Sequence, residues 1–299
     1  MSNIAIQGRR GLIARLMQRP VAMLSALILI VFAVLALMAP LFELWLGHTA
    51  SDVDLAGRFA GPSAAYLLGQ DEIGRDVFLR LLYGARVSLA TGLIAAVASA
   101  IIGTIIGLIA GYRGGWLDDF LMRCTDSVIA LPLLPLLIVL AAVDLSKLGL
   151  GDLEGSSNAV RLIVIVSLVS WTTVARLVRG ATLTLRERTF VLAAHAQGAG
   201  ALRIMLSHIL PNVSGPIIVA TTLAVGNVIL FESVLSFLGL GIQPPLASWG
   251  NMLTDAQILI WQAPMLAVYP GLAIFLTVLA CNLLGNGLQD IFDPRADPS

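Results

Sequence analysis

Long apolar stretches are the feature that most limits what this chain can fold into. A helix that crosses a bilayer needs about 20 mostly apolar residues, and six stretches of the 299-residue sequence meet this condition. In the hydrocarbon core every backbone polar group must find its partner within the chain, which favours helices. We therefore predict an all-α, polytopic membrane protein with six transmembrane helices. They are expected at about 21–45, 87–110, 120–143, 160–178, 214–236 and 265–286.

The low charge of the chain supports this class and excludes others. Charged residues make up 12% of the sequence and hydrophobic residues 58%, against about 25% charged in an ordinary soluble domain. The net charge is zero, and the basic residues are scattered along the chain. Because they form no basic face, we expect no nucleic-acid partner. The lipid bilayer is the bulk partner that the composition implies.

The distribution of basic residues predicts the orientation of the chain. With the N-terminus in the cytoplasm, the inner segments carry twelve basic residues and the outer segments carry six. Arg and Lys are more frequent in cytoplasmic segments than in external ones. We therefore expect both termini, and the loop 179–213, to lie in the cytoplasm.

The first apolar stretch is expected to remain as a membrane anchor. It follows a basic tail, as the hydrophobic region of a cleaved signal peptide would, but its apolar run is too long, and Pro40 follows the candidate cleavage position at Ala39. The predicted organisation is a cytoplasmic tail 1–20, a first transmembrane helix 21–46, a periplasmic segment 47–83, a five-helix core 84–295 and a C-terminal tail 296–299.

The segment 47–83 is too polar to span a membrane and too short to form a domain. Gly69 and Gly74 flank the alternating charges of GQDEIGRD, which predicts a turn that leads into an amphipathic helix with the sequence VFLRLLYGAR. Two interpretations are open from the sequence, namely a folded cap and a salt-bridged structural turn.

Residues 190–212, FVLAAHAQGAGALRIMLSHILPN, interrupt the apolar pattern. RERTFVLAAHAQ predicts a helix with Phe190, Ala193, Ala194 and Gln197 at helical spacing. Gly198 and Gly200 are expected to end it, because glycine accepts the left-handed conformation that closes helices. ALRIMLSHIL predicts a second short helix, ended by Pro211, whose apolar face carries Leu202, Met205, Leu206 and Ile209. These faces would be covered by lipid or the chain's own bundle, or by a groove of a cytoplasmic partner.

This stretch resembles the cytoplasmic loop of ABC-importer permeases. The family pattern is Glu-Ala-Ala, three residues, Gly, nine residues and Ile-x-Leu-Pro. Two positions depart from it, with Leu192 in place of Glu and His208 in place of Ile. The positions that match are Ala193, Ala194, Gly198, Leu210 and Pro211.

Four further segments are similar to the second permease subunit of dipeptide, oligopeptide and nickel importers, and the resemblance runs from about 21 to 295. They are LLGQDEIGRDVFLRLLYGARVSL, GWLDDFLMRCTD, SFLGLGIQPPLASWGNML and YPGLAIFLTVLACNLLGNGLQDIFDPR. Departures are Gln70, Asn286 and Gln289, where the family often has Thr, Asp and Arg. The resemblance implies the type I ABC-importer permease fold in a bacterial inner membrane. It also implies a second homologous permease subunit, two ABC ATPase subunits and an extracytoplasmic substrate-binding protein as partners.

The function that the resemblance implies is that of a permease subunit in an ATP-driven importer, forming half of the translocation pathway for dipeptides or oligopeptides. The alternative is the same architecture with nickel or another small solute, since selection in such systems rests largely with the binding protein. The residues implied in coupling to the ATPase are Leu192, Ala193, Ala194, Gly198, Gly200, Leu202, Met205, Ile209, Leu210 and Pro211.

The sequence contains no phosphate-binding loop for ATP, and GLGD at 149–152, which matches an intramembrane aspartyl-protease signature, lies in a polar loop without a Tyr-Asp partner in any predicted span. A phosphate-cradling loop requires Gly-Lys followed by Ser or Thr, and the single lysine, Lys147, follows Ser146. We therefore expect this chain to be no enzyme and to bind no cofactor, with ATP and Mg used by partner ATPase subunits. No metal site is expected either, because the three histidines lack ligand spacing and the two cysteines lie in apolar runs.

The fifth predicted span contains a carboxylate, Glu232, near its outer end. A charge there is unfavourable unless it meets water or a partner. Two interpretations are open: bonds to neighbouring helix groups such as Asn227 or a serine, or a place on the pathway. Pro244 and Pro245 are expected to force the following loop out of helix, and Trp249 suits the interfacial aromatic belt. Glu232, Asn227, Pro244, Pro245 and Trp249 are therefore the candidates for the pathway or a gate.

Charges inside predicted spans, Asp126 and Glu232, leave an ion-coupled secondary transporter as the alternative class. Many such transporters contain an inverted repeat with a matched pair of broken helices. The sequence shows neither, which favours the ABC permease.

Overall fold

The computed structural model describes residues 19–143 and 158–292, which are mostly α-helical, with the longest described connection at 47–76. The all-α prediction is confirmed, since these two ranges contain no β-strand and only an isolated bridge between Gln70 and Asp76. The helices of the described part are α1 (Pro20–Leu37), α2 (Ala39–Leu46), α3 (Val77–Arg113), α4 (Gly115–Ala130), α5 (Leu133–Ala142), α6 (Asn158–Arg186), α7 (Thr189–Ala196), α8 (Ala201–Ile204), α9 (Leu210–Phe237), α10 (Trp249–Ile258) and α11 (Met265–Phe292).

Five helices of the described part are long and apolar enough to cross a membrane. They are α1, α3, α6, α11 and a continuous helix, Ala201–Phe237, that contains α8 and α9. A sixth span exists if α4 and α5 are counted as one bent pair. Five of the six predicted spans therefore correspond to long helices, and the remaining one corresponds to the bent pair.

The third predicted span, 120–143, is wrong as a single helix. α4 and α5 meet at an angle of 89°, and the break lies at Leu131 and Pro132. Leu131 is extended, with φ −81° and ψ 139°, which is the conformation that a following proline favours. Pro132 also has no N–H with which to continue the helical ladder. Apolar character continues through this break, so hydropathy does not reveal it.

Two other predicted boundaries shift. The first predicted helix, 21–46, is divided at Met38 into α1 and α2. The helix predicted for VFLRLLYGAR does begin at Val77, but it is continuous with the second predicted span, 87–110, so that α3 is one helix from Val77 to Arg113. Its start is fixed by Asp76, whose Oδ1 accepts a hydrogen bond of 2.9 Å from the Leu79 N–H, because a capping carboxylate satisfies one of the free amides of the first turn.

The turn before α3 is held by ion pairs, in agreement with the salt-bridged interpretation. Arg75 Nε lies 2.6 Å from Asp71 Oδ2, and Arg75 Nη2 lies 2.9 Å from Glu72 Oε1. His48 Nε2 lies 2.8 Å from the second oxygen of Asp76. The polar segment is thereby fixed to the start of α3.

The closest helix packing in the bundle is that of α3 against α6. A Cβ atom added to Gly103 would lie 2.5 Å from the carbonyl oxygen of Trp171, and one added to Gly107 would lie 2.6 Å from that of Ala175. Small residues at such an interface let two backbones approach, which is how helices associate in membranes. α9 packs on α3 and α11, and α1 covers α11.

Candidate functional site

A cavity of about 1000 Å³ lies between α4, α5, α6, α9 and α11. Most of its wall is apolar, which suits a site that binds a small solute with few polar contacts. The polar groups in the wall are Ser170, Thr172, Thr173, Arg176, Asn227 and Gln289. Among the predicted pathway residues, Asn227 lies in this wall.

Glu232 lies elsewhere, fully buried at 0% exposure between α3 and α9. Its Oε2 accepts a hydrogen bond of 2.9 Å from Ser88 Oγ, and its Oε1 accepts one of 2.8 Å from Ser236 Oγ. The described contacts match the interpretation that a serine partners this carboxylate, whereas Asn227 does not bond it. Hydroxyl donors on both oxygens are what makes a buried carboxylate tolerable.

The same serines connect Glu232 to the loop 238–248 and to the first residue of α10, Trp249. Ser236 Oγ accepts a bond of 3.0 Å from the Ile242 N–H, and Ser88 Oγ accepts one of 3.3 Å from the Trp249 N–H. One buried carboxylate thus ties α3, α9 and this loop together. We call these residues, Ser88, Glu232, Ser236, Ile242 and Trp249, the Glu232 cluster.

Trp249, which the sequence suggested for the interfacial aromatic belt, does not present its ring to the surroundings. Its ring is buried and meets Phe32 edge to face with centroids 5.9 Å apart, and its Nε1 donates to the Leu81 carbonyl at 3.1 Å. An indole can be buried when its N–H finds such a partner. Pro244 and Pro245, joined by a cis peptide bond, are exposed in the loop, and neither they nor Trp249 lie among the described residues of the cavity wall.

Two arginine–aspartate pairs join α4 to α6. Arg179 Nε and Nη2 bond the two oxygens of Asp118 at 2.5 and 2.6 Å, and Arg176 Nη2 bonds Asp126 Oδ1. These pairs were not predicted from the sequence. The local spacing places the two arginines on one face of α6 and the two aspartates on one face of α4, but it does not indicate that these faces meet.

The connection between α6 and α9, residues 187–209, contains the predicted coupling residues up to Ile209. Gly198 has the expected left-handed backbone, with φ 83°. Its N–H bonds the His195 carbonyl at 2.9 Å, and the Ala199 N–H bonds the Ala194 carbonyl at 3.0 Å. This pair of bonds is the Schellman ending of a helix. A Cβ at Gly198 would meet nothing within 4 Å, so the requirement for glycine there is conformational.

The predicted apolar faces of the connection are partly wrong. The residues buried against α3 and α6 are Val191, Ala194, Ile204 and Ile209. Phe190, Gln197, Leu202 and Leu206 are exposed instead. The reason is that these helices carry apolar side chains on more than one face, and the face with Val191, Ala194, Ile204 and Ile209 is the one that packs inward. Of the other predicted coupling residues, Leu192, Ala193, Gly198, Gly200 and Pro211 are exposed, and Met205 and Leu210 are half-buried.

Two predicted helix limits in this region are also wrong. α7 begins at Thr189 rather than near Arg186. Pro211 does not end the second helix, because a π-turn at Met205–Ile209 leads without interruption into α9. The Leu210 N–H bonds the Met205 carbonyl, and Pro211, which has no N–H with which to continue the ladder, directly follows this π-turn.

Comparison with known proteins gives one family and many relatives. Residues 103–298 match the family described as binding-protein-dependent transport system inner membrane component. The glutathione transport system permease protein GsiD of Escherichia coli is 42% identical over 281 residues, covering 94% of this chain and 88% of that protein. The dipeptide transport system permease protein DppC of Alkalihalophilus pseudofirmus is 38% identical over 291 residues, covering 97% of this chain and 91% of that protein.

Proposed function

Because this chain belongs to the family of binding-protein-dependent transport system inner membrane components, we propose that it forms half of a pathway for peptides in an ATP-driven importer. Such a component is a membrane permease and no enzyme, and it works with an ATPase and a substrate-binding protein. The proposed assembly contains a second, homologous permease subunit and two ATPase subunits. ATP and Mg are bound by those ATPase subunits, since this sequence contains no phosphate loop.

The main support for this proposal is that the wall of the cavity packs against the α6–α9 connection. Val174 of α6 lies in the wall of the cavity, and it also belongs to the apolar cluster that contains Val191, Ile204 and Ile209. Close-packed side chains transmit displacement because they leave no free volume to absorb it. A partner that moves the connection would therefore move the wall of the cavity.

The exposed face of the connection is the proposed binding surface for an ATPase subunit. Its apolar side chains are Phe190, Leu192, Leu202 and Leu206. An apolar helix face that lies outside the bundle fits a groove on a partner. ATP binding would close the ATPase pair, draw the connections of the two permeases together and open the pathway to the other side. Coupling then requires that each ligand bind the two end states differently.

A matched pair of substitutions tests this surface. Leu202 and Leu55 are both 66% exposed, but Leu55 lies in the polar segment between α2 and α3. We expect Leu202→Asp to reduce the amount of ATPase subunit that co-purifies with the permease, while Leu55→Asp leaves it unchanged. Equal recovery for both variants, at matched expression, would contradict the proposed surface.

Peptides are the proposed substrate class because two relatives are named for dipeptide and glutathione transport. The test is uptake by proteoliposomes that contain the assembled complex and its binding protein. We expect ATP-dependent accumulation of a dipeptide or of glutathione, and no ATP hydrolysis by the purified chain alone. Accumulation of nickel in place of peptides, or uptake driven by an ion gradient without the ATPase subunits, would contradict the proposal.

The proposed orientation has both termini in the cytoplasm, on the basis of the distribution of basic residues. A reporter fused after Ser299 should then be cytoplasmic, and one inserted at Ser156 should be periplasmic. The opposite pattern would put the α6–α9 connection outside the cell and remove its coupling role.

A further inference from the structure

The two arginine–aspartate pairs between α4 and α6 differ in geometry and in exposure. Arg179 holds Asp118 with two parallel hydrogen bonds, and the side chains are 33% and 9% exposed. Arg176 bonds Asp126 through Nη2 to Oδ1, and these side chains are 49% and 58% exposed. A fork with two bonds is the stronger and more specific arrangement for a carboxylate. The Arg176 pair is therefore the more open and the more exchangeable of the two.

Arg176 also occupies a distinctive place in the cavity. Among the described residues that form the wall, it is the one with a charged side chain. It lies ten residues, or about 15 Å along the helix axis, before α6 ends at Arg186. Thr173, one turn earlier on α6, lies in the same wall. A solute in the cavity thus meets one guanidinium, which is paired with Asp126, beside a hydroxyl in a wall whose other described residues are uncharged.

Stability does not account for an ion pair of this kind. Exposed pairs contribute about 0–1 kcal/mol, because solvent screens them and the side chains lose freedom. An ionised residue in a membrane-spanning helix is instead a candidate functional site, which meets a water-filled cavity or a substrate. The small contribution of the pair also means that another carboxylate can replace Asp126 at little energetic disadvantage.

We propose that Arg176 binds a carboxylate of the solute as it crosses the cavity, and that Asp126 is the resting counterion which that carboxylate displaces. The inference rests on the proposed function, since the C-terminus of a peptide supplies such a carboxylate. Guanidinium has five N–H donors in a planar fork that matches carboxylate geometry. Because Asp126 pairs with Arg176 whenever no solute is bound, the arginine always has a counterion in the membrane.

The proposal predicts that the two halves of the pair behave differently. In proteoliposomes with the complete complex, Arg176→Gln should lower the amount of peptide moved per ATP by about tenfold, as loss of one charge-assisted contact of roughly 1.5 kcal/mol implies. Arg176→Lys, which keeps the charge but not the fork, should recover part of this loss. Asp126→Asn, which removes the competing counterion, should raise the amount moved per ATP.

ATP hydrolysis stimulated by the loaded binding protein serves as the second readout, because it reports on assembly and coupling. It should stay within about twofold of wild type in every variant. Arg86→Gln is the matched control, since it removes an exposed arginine from α3 at a position outside the described cavity wall. It should change neither readout.

Three results would overturn the inference. Equal losses in Arg176→Gln and Asp126→Asn, with recovery in the reversed pair Arg176→Asp plus Asp126→Arg, would identify a purely structural ion pair. A normal ratio of peptide to ATP in Arg176→Gln would show that the solute does not contact it. A wild-type complex that moves no peptide would overturn the proposed function itself, and this outcome is visible before any variant is compared.

Discussion

The two ends of α9 are fixed in opposite ways. At the Glu232 cluster the chain is packed so closely that a Cβ atom on Gly250 would lie 2.6 Å from the Ser233 carbonyl oxygen. At the α6–α9 connection, a Cβ on Gly198 or on Gly200 would meet nothing within 4 Å. Glycine thus serves close packing at Gly250 and backbone conformation at Gly198.

The difference between the ends suggests a division of roles. The Glu232 cluster ties α3, α9 and the loop before α10 through buried hydrogen bonds, so that part of the molecule is expected to move as one body. The α6–α9 connection buries one apolar face and exposes another, which leaves a surface for a partner. Substitutions at the first site should mainly change stability, and substitutions at the second should mainly change assembly.

The largest effect is expected for Glu232→Ala. Removal of the carboxylate leaves the hydroxyls of Ser88 and Ser236 without their acceptor and opens a cavity, with an expected loss of about 3 kcal/mol in the free energy of unfolding. Glu232→Gln keeps the volume and one acceptor oxygen, so its loss should be smaller. Thermal unfolding of the purified protein in detergent measures both. Equal melting temperatures for wild type and Glu232→Ala would contradict the role of this cluster.

The contrast between the glycines comes next. Gly250→Ala should destabilise the protein by about 2 kcal/mol, because the new methyl group meets backbone atoms that cannot move aside. Gly200→Ala should change stability by less than about 0.5 kcal/mol, since Gly200 has an ordinary φ of −69° and open space around it. The same thermal unfolding assay compares them, and similar losses at both positions would remove the distinction between the ends.

At the connection, Gly198→Val should uncouple transport without preventing folding. A side chain on this left-handed backbone introduces strain of about 1 kcal/mol or more and changes the angle between α7 and α8. We expect normal membrane insertion, with weaker ATPase association or loss of substrate-stimulated hydrolysis. Unchanged association and hydrolysis, at matched expression, would remove Gly198 from the coupling assignment.

The smallest effect is expected for Leu192→Glu, which introduces the residue that the family pattern has at this position. Leu192 is exposed on α7, so the carboxylate remains in solvent, and stability should change by less than about 0.5 kcal/mol. ATPase association should be retained. A loss of co-purified ATPase comparable with that of Leu202→Asp would show that the contact at Leu192 requires an apolar side chain.

Local features of the sequence were sufficient to predict the class of fold and part of the candidate site. Apolar stretches of sufficient length predict membrane-spanning helices, because a backbone in lipid has no other way to satisfy its polar groups. Gly198 could be assigned a left-handed backbone because only glycine adopts it without strain. The turn before α3 followed from its glycines and charges. These properties belong to a few consecutive residues and their solvent, so they can be predicted without the fold.

Tertiary structure alone decided which distant residues meet. Ser88 and Glu232 are 144 positions apart, and Asp126 and Arg176 are 50 apart, so no local pattern pairs them. Pro132 is visible in the sequence as a residue that can break a helix. The angle of 89° between α4 and α5 depends in addition on how α5 packs on α6. The same is true of Trp249 and of the buried faces of α7 and α8. These contacts limit the number of unpaired buried polar groups and the empty volume over the whole bundle, and that balance exists only once the helices have packed.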